Sequence, residues 1–234
     1  MTSIYCDGEY LMNNENWHAE DSAWKAHQIS QIIERNKISF HTVMEVGCGA
    51  GAILNALSSR YDDEKCSFDG FDISPQAIAM AKQNENPRIR YFLEDPLSDK
   101  SDKHYDILLM IDVFEHVRDY MGFVENCKAK ANYKIFHIPL ELSVSSIFRN
   151  TLLESRRSVG HLHYFTAESA LATLKEMGHE IIDHGFTCGA IDLYLQHPNL
   201  KTAIANVPRW FVSKFSVPLS ARLFGGFSLM VLTR

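Results

Sequence analysis

Residues 42–52 of this chain read TVMEVGCGAGA, in which a run rich in β-branched and apolar residues, 42–46, is followed by glycines at 47, 49 and 51. The run predicts a strand, and the residues after the turn have the apolar spacing of a helix over 50–60. Glycines let the backbone turn sharply and let a ligand approach it closely. The helix that follows presents free N–H groups and the positive end of its dipole. The stretch therefore predicts a strand–loop–helix unit that binds a small ligand.

The same alternation of strands and helices continues along the chain. Further strands are predicted over 67–73, 89–93, 105–111, 133–138, 180–186 and 227–232, and further helices over 23–36, 74–83, 119–130 and 166–177. The run 105–111 is nearly all apolar, which is typical of a central strand buried on both faces. This order predicts an α/β fold with a doubly wound seven-stranded sheet, in which ligands bind beyond the carboxyl ends of the strands.

The composition is that of a globular protein. Hydrophobic residues make up 46% of the 234 residues and charged residues 22%, which excludes a largely disordered chain. The net charge of −6 argues against sequence-independent nucleic-acid binding, so we expect no nucleic-acid partner. Five cysteines without a CxxC pair argue against a disulfide framework and a structural zinc, and no metal ligand is predicted. No leader pattern and no apolar run near the ~20 residues of a membrane span are found, so we expect a cytoplasmic protein without a transmembrane segment.

Four carboxylates follow the first four predicted strands, namely Glu45, Asp72, Asp95 and Asp112. Glu45 stands two residues before the first glycine, where it would repel a pyrophosphate and attract a cationic ligand. Asp72 can accept hydrogen bonds from two ribose hydroxyls, or it can cap the helix that follows it. Clustered carboxylates repel one another unless a cationic or hydrogen-bond-donating group lies among them. The pattern predicts a cationic ligand that carries a ribose.

Residues 43–51 resemble the first motif of the class I S-adenosylmethionine-dependent methyltransferases, and the resemblance extends in order over about 40–186. It implies a Rossmann-like methyltransferase fold, mostly parallel, whose antiparallel last strand is inserted beside the fifth. It also implies that the glycine-rich loop cradles the amino-acid part of S-adenosylmethionine. The cofactor-binding residues expected from motif and resemblance together are Glu45, Gly47, Cys48, Gly49, Gly51, Asp72, Ile73, Glu94, Asp95, Pro96, Asp112, Val113 and His116.

The resemblance also gives roles to the acidic residues after the third and fourth strands. Asp95 is expected to accept a hydrogen bond from the adenine amino group, with Glu94 as the alternative. Asp112-Val-Phe-Glu115-His116 is similar to the family's D-x-x-E-H signature, which implies that Asp112 faces the ammonium and sulfonium end of the cofactor. The spacing of Asp112 and Glu115 also fits a capping box. A plain acidic turn at Asp95 is equally compatible with the sequence.

Candidates for a general base come from residues that follow the fifth strand. Residues 160–166, Gly-His-Leu-His-Tyr-Phe-Thr, resemble a stretch found in many small-molecule members of the family. A positioned histidine can accept the proton of a hydroxyl nucleophile. His161 is the first candidate and His163 the second, with His137 and Glu141 behind them. Histidines one residue apart in an extended segment point in opposite directions, so only one of the two is expected to face a substrate.

The function expected from these patterns is S-adenosylmethionine-dependent methyl transfer to a small or medium-sized acceptor, at oxygen. Two alternatives stay open. Gly47, Gly49 and Ala52 also satisfy the dinucleotide fingerprint, so an NAD(P)-dependent oxidoreductase is one. A module that binds S-adenosylmethionine without catalysing a reaction is the other, because binding and catalysis are separable in this fold.

Two segments are expected to cover the site. Residues 1–40 are predicted to form an N-terminal helical cover with Tyr5, Tyr10 and Trp17, beside a methyltransferase domain over 41–234. An insertion near 189–226 separates the last two strands. Its aromatic and cationic part is interpreted as a helix packed at the sheet edge, a substrate lid, a homodimer surface or a membrane-surface helix.

Overall fold

The structure is a computed structural model that describes residues 19–98, 103–194, 198 and 200–234. Its strands are β1 (Thr42–Val46), β2 (Ser67–Asp72), β3 (Ile89–Leu93), β4 (Tyr105–Ile111), β5 (Ala131–Pro139), β6 (Ile181–Thr187) and β7 (Ser228–Thr233). Its helices are α1 (Ser22–Arg35), α2 (Ala52–Arg60), α3 (Pro75–Ala81), α4 (Tyr120–Asn126), α5 (Val144–Arg149), α6 (Thr151–Ser158), α7 (Ala167–Glu176), α8 (Gly189–Asp192), α9 (Leu200–Ser213) and α10 (Val217–Phe224).

The strands form one sheet in the order β3-β2-β1-β4-β5-β7-β6. The pairs among β1 to β5 are parallel, and β7 lies antiparallel between β5 and β6. The prediction of a doubly wound, mostly parallel sheet with an antiparallel last strand is confirmed. The order reverses between β1 and β4, so the carboxyl ends of these two strands flank the position where such sheets bind ligands.

Strand β4 shows why the sheet is covered on both faces. Leu108 and Met110 belong to one apolar cluster, and Ile107 and Leu109 belong to the other. All four side chains are fully buried. Because successive side chains of a strand point to opposite faces, a continuous apolar run fills both layers of helices at once.

The helices differ from the predicted ones mainly at their ends and after β5. The predicted helix 119–130 is α4 followed by a 3-10 turn, Cys127–Lys130, and α3 likewise continues as a 3-10 turn, Lys82–Asn84. Helices α5 and α6 were not predicted. Asn150, with a φ of 55°, separates them, and a capping box between Ser143 and Ser146 begins α5.

The segment between β6 and β7 contains α8, α9 and α10. The buried Arg209 of α9 donates from Nε to the carbonyl of Gly225 at 2.8 Å, and Ser220 Oγ donates to the carbonyl of Arg209 at 2.8 Å. These bonds join α9 to α10 as a helical pair. Tyr5, Tyr10 and Trp17 of the expected N-terminal cover lie outside the described residues. Among the helices that the structure describes, none is both long and apolar enough to cross a membrane.

Candidate active site

The glycine-rich loop after β1 is fixed to β2 by backbone hydrogen bonds. The N–H groups of Gly47 and Cys48 donate to the carbonyl of Phe71 at 2.8 and 3.0 Å. Gly47, Gly49 and Gly51 have φ values of 72°, 53° and 78°, a backbone region that residues other than glycine rarely adopt. The conformation of the loop therefore depends on glycine at these three positions.

Asp72 at the end of β2 binds two backbone segments at once. Its Oδ2 accepts a hydrogen bond from Gly49 N at 2.9 Å, and its Oδ1 accepts one from Ser74 N at 2.8 Å. Burial raises the pKa of Asp72, and the N–H groups of Ser74 and Gly49 oppose that rise. Ser74 Oγ caps α3 by accepting from Ala77 N at 3.3 Å. The cap is therefore Ser74, and Asp72, whose carboxylate also accepts from the Ile73 N–H, keeps accepting capacity for a ligand. Ile73 beside it is half exposed.

Glu45 is a buried carboxylate at the end of β1. Its side chain is 1% exposed, and Oε2 has no hydrogen-bond partner among the described residues. Burial raises the pKa of Glu45 well above its ordinary value, Asp72 adds to the rise and Lys25 opposes it. An unpaired buried carboxylate is unfavourable, so a donor or cation placed here by a ligand would relieve the protein of that penalty.

Asp112 after β4 has two partners from the chain itself. Its Oδ1 lies 2.7 Å from His137 Nδ1, and its Oδ2 lies 2.9 Å from Lys25 Nζ, which also contacts Asp21 at 3.0 Å. Burial would raise the pKa of Asp112, but His137 and Lys25 outweigh it and hold the pKa well below the ordinary value. The expectation that clustered carboxylates require a cationic ligand thus holds less for Asp112, because α1 supplies a lysine.

The segment after β3 forms a compact turn. Asp95 Oδ1 accepts a hydrogen bond from Leu97 N at 3.0 Å, and Pro96 and Leu97 are buried. Glu94 is exposed. The carboxylate of Asp95 therefore closes its own turn, as the alternative interpretation of this residue supposed, and retains accepting capacity on its second oxygen.

The D-x-x-E-H segment folds as a 3-10 turn, Phe114–His116, after β4. The side chain of Glu115 is fully buried, and neither of its oxygens has a hydrogen-bond partner within the described part of the chain. Burial raises the pKa of Glu115 well above its ordinary value, and Asp112 adds to the rise. The Glu115 carbonyl accepts hydrogen bonds from Leu162 N and His163 N at 2.9 and 3.1 Å, which hold the 160–163 segment against this turn.

Two histidines and Glu141 surround that carboxylate. The rings of His116 and His161 meet edge to face with centroids 4.6 Å apart. His161 Nδ1 lies 2.7 Å from Glu141 Oε2, and Glu141 Oε1 accepts from Ser155 Oγ at 2.8 Å. Burial and the neighbouring His161 lower the pKa of His116 to about 4. Sequence analysis assigned no metal ligand, yet the ligand-type atoms of Glu115, His116 and His161 all lie within 4.8 Å of one another.

His163 has a different environment from His161. Its Nε2 lies 2.9 Å from the carbonyl of Val117, and its ring centroid lies 4.4 Å from that of Tyr120. The geometry thus brings His161 and His116 together, whereas His163 has other partners.

Val113, which follows Asp112, fills the space beside Gly47, because a Cβ on Gly47 would lie 2.6 Å from Val113 Cγ2.

A sequence profile described as a methyltransferase domain matches residues 18–184. This chain belongs to the methyltransferase-domain family. Its membership agrees with the resemblance drawn from the glycine-rich loop and the D-x-x-E-H segment, and it confirms that interpretation of the sequence.

Curated relatives of this methyltransferase domain include enzymes named for methyl transfer to oxygen. Malonyl-[acyl-carrier protein] O-methyltransferase 1 of Ilyobacter polytropus is 25% identical over 124 residues, which cover 52% of this chain and 44% of the relative. The ubiquinone biosynthesis O-methyltransferase of Nitrosomonas europaea is 26% identical over 95 residues, which cover 38% of this chain and 39% of the relative. The matched region thus spans less than half the length of these relatives.

Solved structures share the fold over nearly the whole chain. N-methyltransferase NodS from Bradyrhizobium japonicum WM9, in complex with S-adenosyl-L-homocysteine, has a TM-score of 0.60 at 16% identity and covers 97% of this chain and 94% of its own. A putative methyltransferase complexed with the Haloferax volcanii activator Trm112 has a TM-score of 0.63 at 14% identity, with the same coverage. At these identities the likeness shows the Rossmann-like methyltransferase fold.

Sequence reasoning missed the role of two residues of this methyltransferase domain. Lys25 contacts Asp112 across 87 positions of sequence, and His137 lies on β5, where it also contacts Thr187 through Nε2 at 2.9 Å. Local spacing carries no signal for contacts between distant segments. For Lys25 the one available signal was a single lysine within the predicted helix, and single lysines are common on any helix.

Proposed function

We propose that this methyltransferase domain transfers a methyl group from S-adenosylmethionine to an oxygen atom of a small or medium-sized acceptor. The observation that carries the proposal is the arrangement of Glu45, Gly49 and Asp72 where the sheet order reverses. Gly49 N is bound by Asp72, and the buried Oε2 of Glu45 is left without a partner in the described residues. Carboxylate acceptors beside a glycine-rich loop fit the ammonium and ribose hydroxyls of the cofactor.

The residues present fit the cofactor by their chemistry. Gly47, Cys48, Gly49 and Gly51 would hold its amino-acid part, and Glu45 and Asp112 would face its positive charge. Asp72 would accept from the ribose hydroxyls, with Ile73 beside them. The adenine would lie near Glu94, Asp95 and Pro96, and Val113 and His116 would line the methyl-transfer end. When bound, the cofactor supplies an electrophilic methyl group on a sulfonium sulfur.

The acceptor side of the proposal rests on the segment that follows β5. His161 is oriented by Glu141 at 2.7 Å, the arrangement by which a carboxylate fixes the tautomer of a general base. In this role His161 takes the hydroxyl proton while the oxygen forms a bond to the methyl carbon and the carbon–sulfur bond breaks. His163 is the second candidate. The curated relatives named for O-methyl transfer support oxygen as the acceptor atom.

Transfer of a labelled methyl group tests this function. The protein is incubated with methyl-radiolabelled S-adenosylmethionine and small-molecule fractions of a cell extract, and we expect label to enter one fraction. Boiled protein and Asp72→Ala are the controls. Incorporation that is absent from every fraction, while S-adenosylhomocysteine still binds, would leave only the non-catalytic module. Binding of NADH alone would leave the oxidoreductase.

For the domain organisation, we propose an N-terminal helical cover over 1–40 and a core domain over 41–234 with its insertion near 189–226.

We also propose that α9 contacts an anionic membrane surface, with a homodimer as the competing use of the same face. Ile204, Val207 and Phe211 of α9 follow helical spacing and are exposed, as is Phe215 in the turn that follows α9. Lys214, in the turn after α9, is exposed, and its charge complements anionic lipid. We propose a cytoplasmic location, which the four cysteines of the described residues support, because their thiols are free.

A further inference from the structure

We propose that Glu115, His116 and His161 bind one divalent transition-metal ion, and that this ion holds the acceptor oxygen for methyl transfer. The second part rests on the proposed function. The first part is a property of the chain that can be measured without any methyl transfer.

The donor set and its spacing support a metal site. One carboxylate and two imidazoles supply ligand atoms that all lie within 4.8 Å of one another. Two histidines and one carboxylate are a recurring ligand set for Zn²⁺ and Fe²⁺. Metal–ligand bonds of about 2.0–2.2 Å place neighbouring ligand atoms roughly 3–3.5 Å apart, so side-chain movements of about 1 Å would close the site.

The site lies between two segments that the backbone already holds together. Glu115 and His116 belong to the turn after β4, and His161 belongs to the loop that leads to α7. Leu162 N and His163 N both donate to the Glu115 carbonyl. These bonds fix His161 beside the turn, so the ligands come from positions 45 residues apart without depending on a flexible contact.

Glu115 provides an independent indication of a missing partner. Its side chain is fully buried, and both oxygens are without a hydrogen-bond partner among the residues described. A buried, unpaired carboxylate is strongly unfavourable, whereas the same carboxylate bound to a cation is not. Lys25 does not fill this need, because its ammonium contacts Asp112 and Asp21.

The surroundings of both histidines are typical of metal ligands. His161 Nδ1 is paired with Glu141, which is held in turn by Ser155 Oγ at 2.8 Å. With Nδ1 engaged, Nε2 is the nitrogen that remains for a metal, and carboxylate–histidine–metal triads are built in this way. His116 bonds to the backbone of Gly160, and its Nε2 lies 3.8 Å from Glu115 Oε1.

Such a site would activate the acceptor differently from a general base. Three protein ligands leave a coordination position for the acceptor hydroxyl, and coordination promotes loss of its proton. The O–H bond breaks and the proton passes to solvent. An oxygen lone pair then forms the bond to the methyl carbon, and the carbon–sulfur bonding pair stays on sulfur as a thioether. With the ion bound, His161 would act as a ligand in place of the general-base role given above, and Glu141 would position it.

Cobalt titration tests the site. Untagged full-length protein is stripped with chelator and titrated with Co²⁺, whose visible d–d absorption reports nitrogen and oxygen ligation. We expect one equivalent to bind wild type, a loss of at least about 100-fold in affinity in Glu115→Gln and His161→Asn, and 10–100-fold weakening in Glu141→Gln. His163→Asn is the matched control, because it changes a histidine of the same loop that binds the Val117 carbonyl, and it should bind Co²⁺ like wild type.

The outcomes separate this inference from the proposed function. S-adenosylhomocysteine affinity is measured calorimetrically on the metal-free protein and each variant, which also reports folding. Wild type that takes up no stoichiometric Co²⁺ overturns the metal site whatever the variants do, as does equal binding by Glu115→Gln and His163→Asn. If S-adenosylhomocysteine still binds in those cases, the proposed function survives. Metal binding without S-adenosylhomocysteine binding would overturn the proposed function and leave the site.

Discussion

At the scale of single residues, Glu45 and Asp112 differ in how the fold treats a carboxylate. Asp112 is paired with Lys25 and His137, which favour its charged form. Glu45 is buried and its Oε2 has no partner in the described part of the chain. Because the second arrangement is unfavourable for the ligand-free fold, Glu45 is a position where stability and ligand binding are expected to oppose each other.

We predict that Glu45→Gln stabilises the ligand-free protein and weakens S-adenosylhomocysteine binding. Burial raises the pKa of Glu45, so the folded state binds a proton more tightly than the unfolded state. Its contribution to stability is greatest below the unfolded pKa of about 4.3 and is lost as pH rises through the folded pKa. The gain in melting temperature over wild type should grow from pH 5 to pH 8. Each kcal/mol gained in the free energy of unfolding corresponds to about 2–4 °C.

The exposed Glu64 provides the control for Glu45, because Glu64→Gln removes an equal negative charge at a solvent-exposed position. That variant should melt like wild type at both pH values. A Glu45→Gln protein that is less stable than wild type at pH 8 would contradict the argument from burial.

Asp72→Ala is predicted to weaken S-adenosylhomocysteine binding by at least about tenfold, because hydrogen bonds to a charged acceptor contribute about 1.5–3 kcal/mol. Asp72→Asn keeps the shape and one acceptor oxygen and should be intermediate. Calorimetry gives the affinities, and thermal unfolding reports the loss of the bonds to Gly49 N and Ser74 N. Unchanged affinity in both variants would remove Asp72 from the cofactor site.

At the scale of elements, a side chain of β3 constrains the loop between β1 and α2. Tyr91 OH donates to the Gly51 carbonyl at 2.9 Å, and a Cβ on Gly51 would lie 2.4 Å from the Tyr91 ring. Together with its φ of 78°, this contact makes Gly51 a position where no side chain fits.

Gly51→Ala should therefore lower the free energy of unfolding by about 2–4 kcal/mol, from overpacking and a strained φ. Gly185→Ala in β6 is the matched control, because its Cβ would meet Arg35 at an ordinary 3.5 Å. Urea denaturation of both variants checks the difference. Equal stability of the two would show that the loop moves to accept a side chain.

The exposed face of α9 should bind vesicles that contain anionic lipid. Trp210 of α9 and Phe215 of the turn that follows it are exposed, and Lys214 Nζ of that turn lies 5.0 Å from the Trp210 ring centroid. Replacing both aromatic residues by serine should abolish co-sedimentation, because insertion of apolar side chains provides the binding free energy. Ile182→Ser, at an exposed apolar residue of β6 outside this face, should leave co-sedimentation intact. Concentration-dependent dimerisation without vesicle binding would assign this face to a second copy.

The elements that the sequence predicts well are those with a strong local signal. The apolar run of β4 and the glycines at 47, 49 and 51 act through their own backbone and burial, so their pattern is sufficient. Helices α5 and α6 lack such a signal, since Ile147 and Phe148 are exposed and break the amphipathic spacing. The proximity of Glu115 and His161 depends on tertiary contacts, which local periodicity does not encode.

At the scale of the whole molecule, the site is formed where the sheet order reverses and α1 closes over it. Lys25 of α1 reaches Asp112 after β4, and Trp24 donates to Asp192 Oδ2 of α8 at 3.1 Å. The N-terminal helix thus connects the sheet with the segment that precedes β7. Cofactor binding at this position is the claim on which the proposed chemistry depends.

Isothermal calorimetry of the full-length protein with S-adenosylhomocysteine and with NADH tests that claim most directly. We predict one equivalent of S-adenosylhomocysteine bound at least about tenfold more tightly than NADH, with affinity reduced in Asp72→Ala. Binding of NADH in preference to S-adenosylhomocysteine, or of neither, would contradict the account and leave the fold without the proposed cofactor.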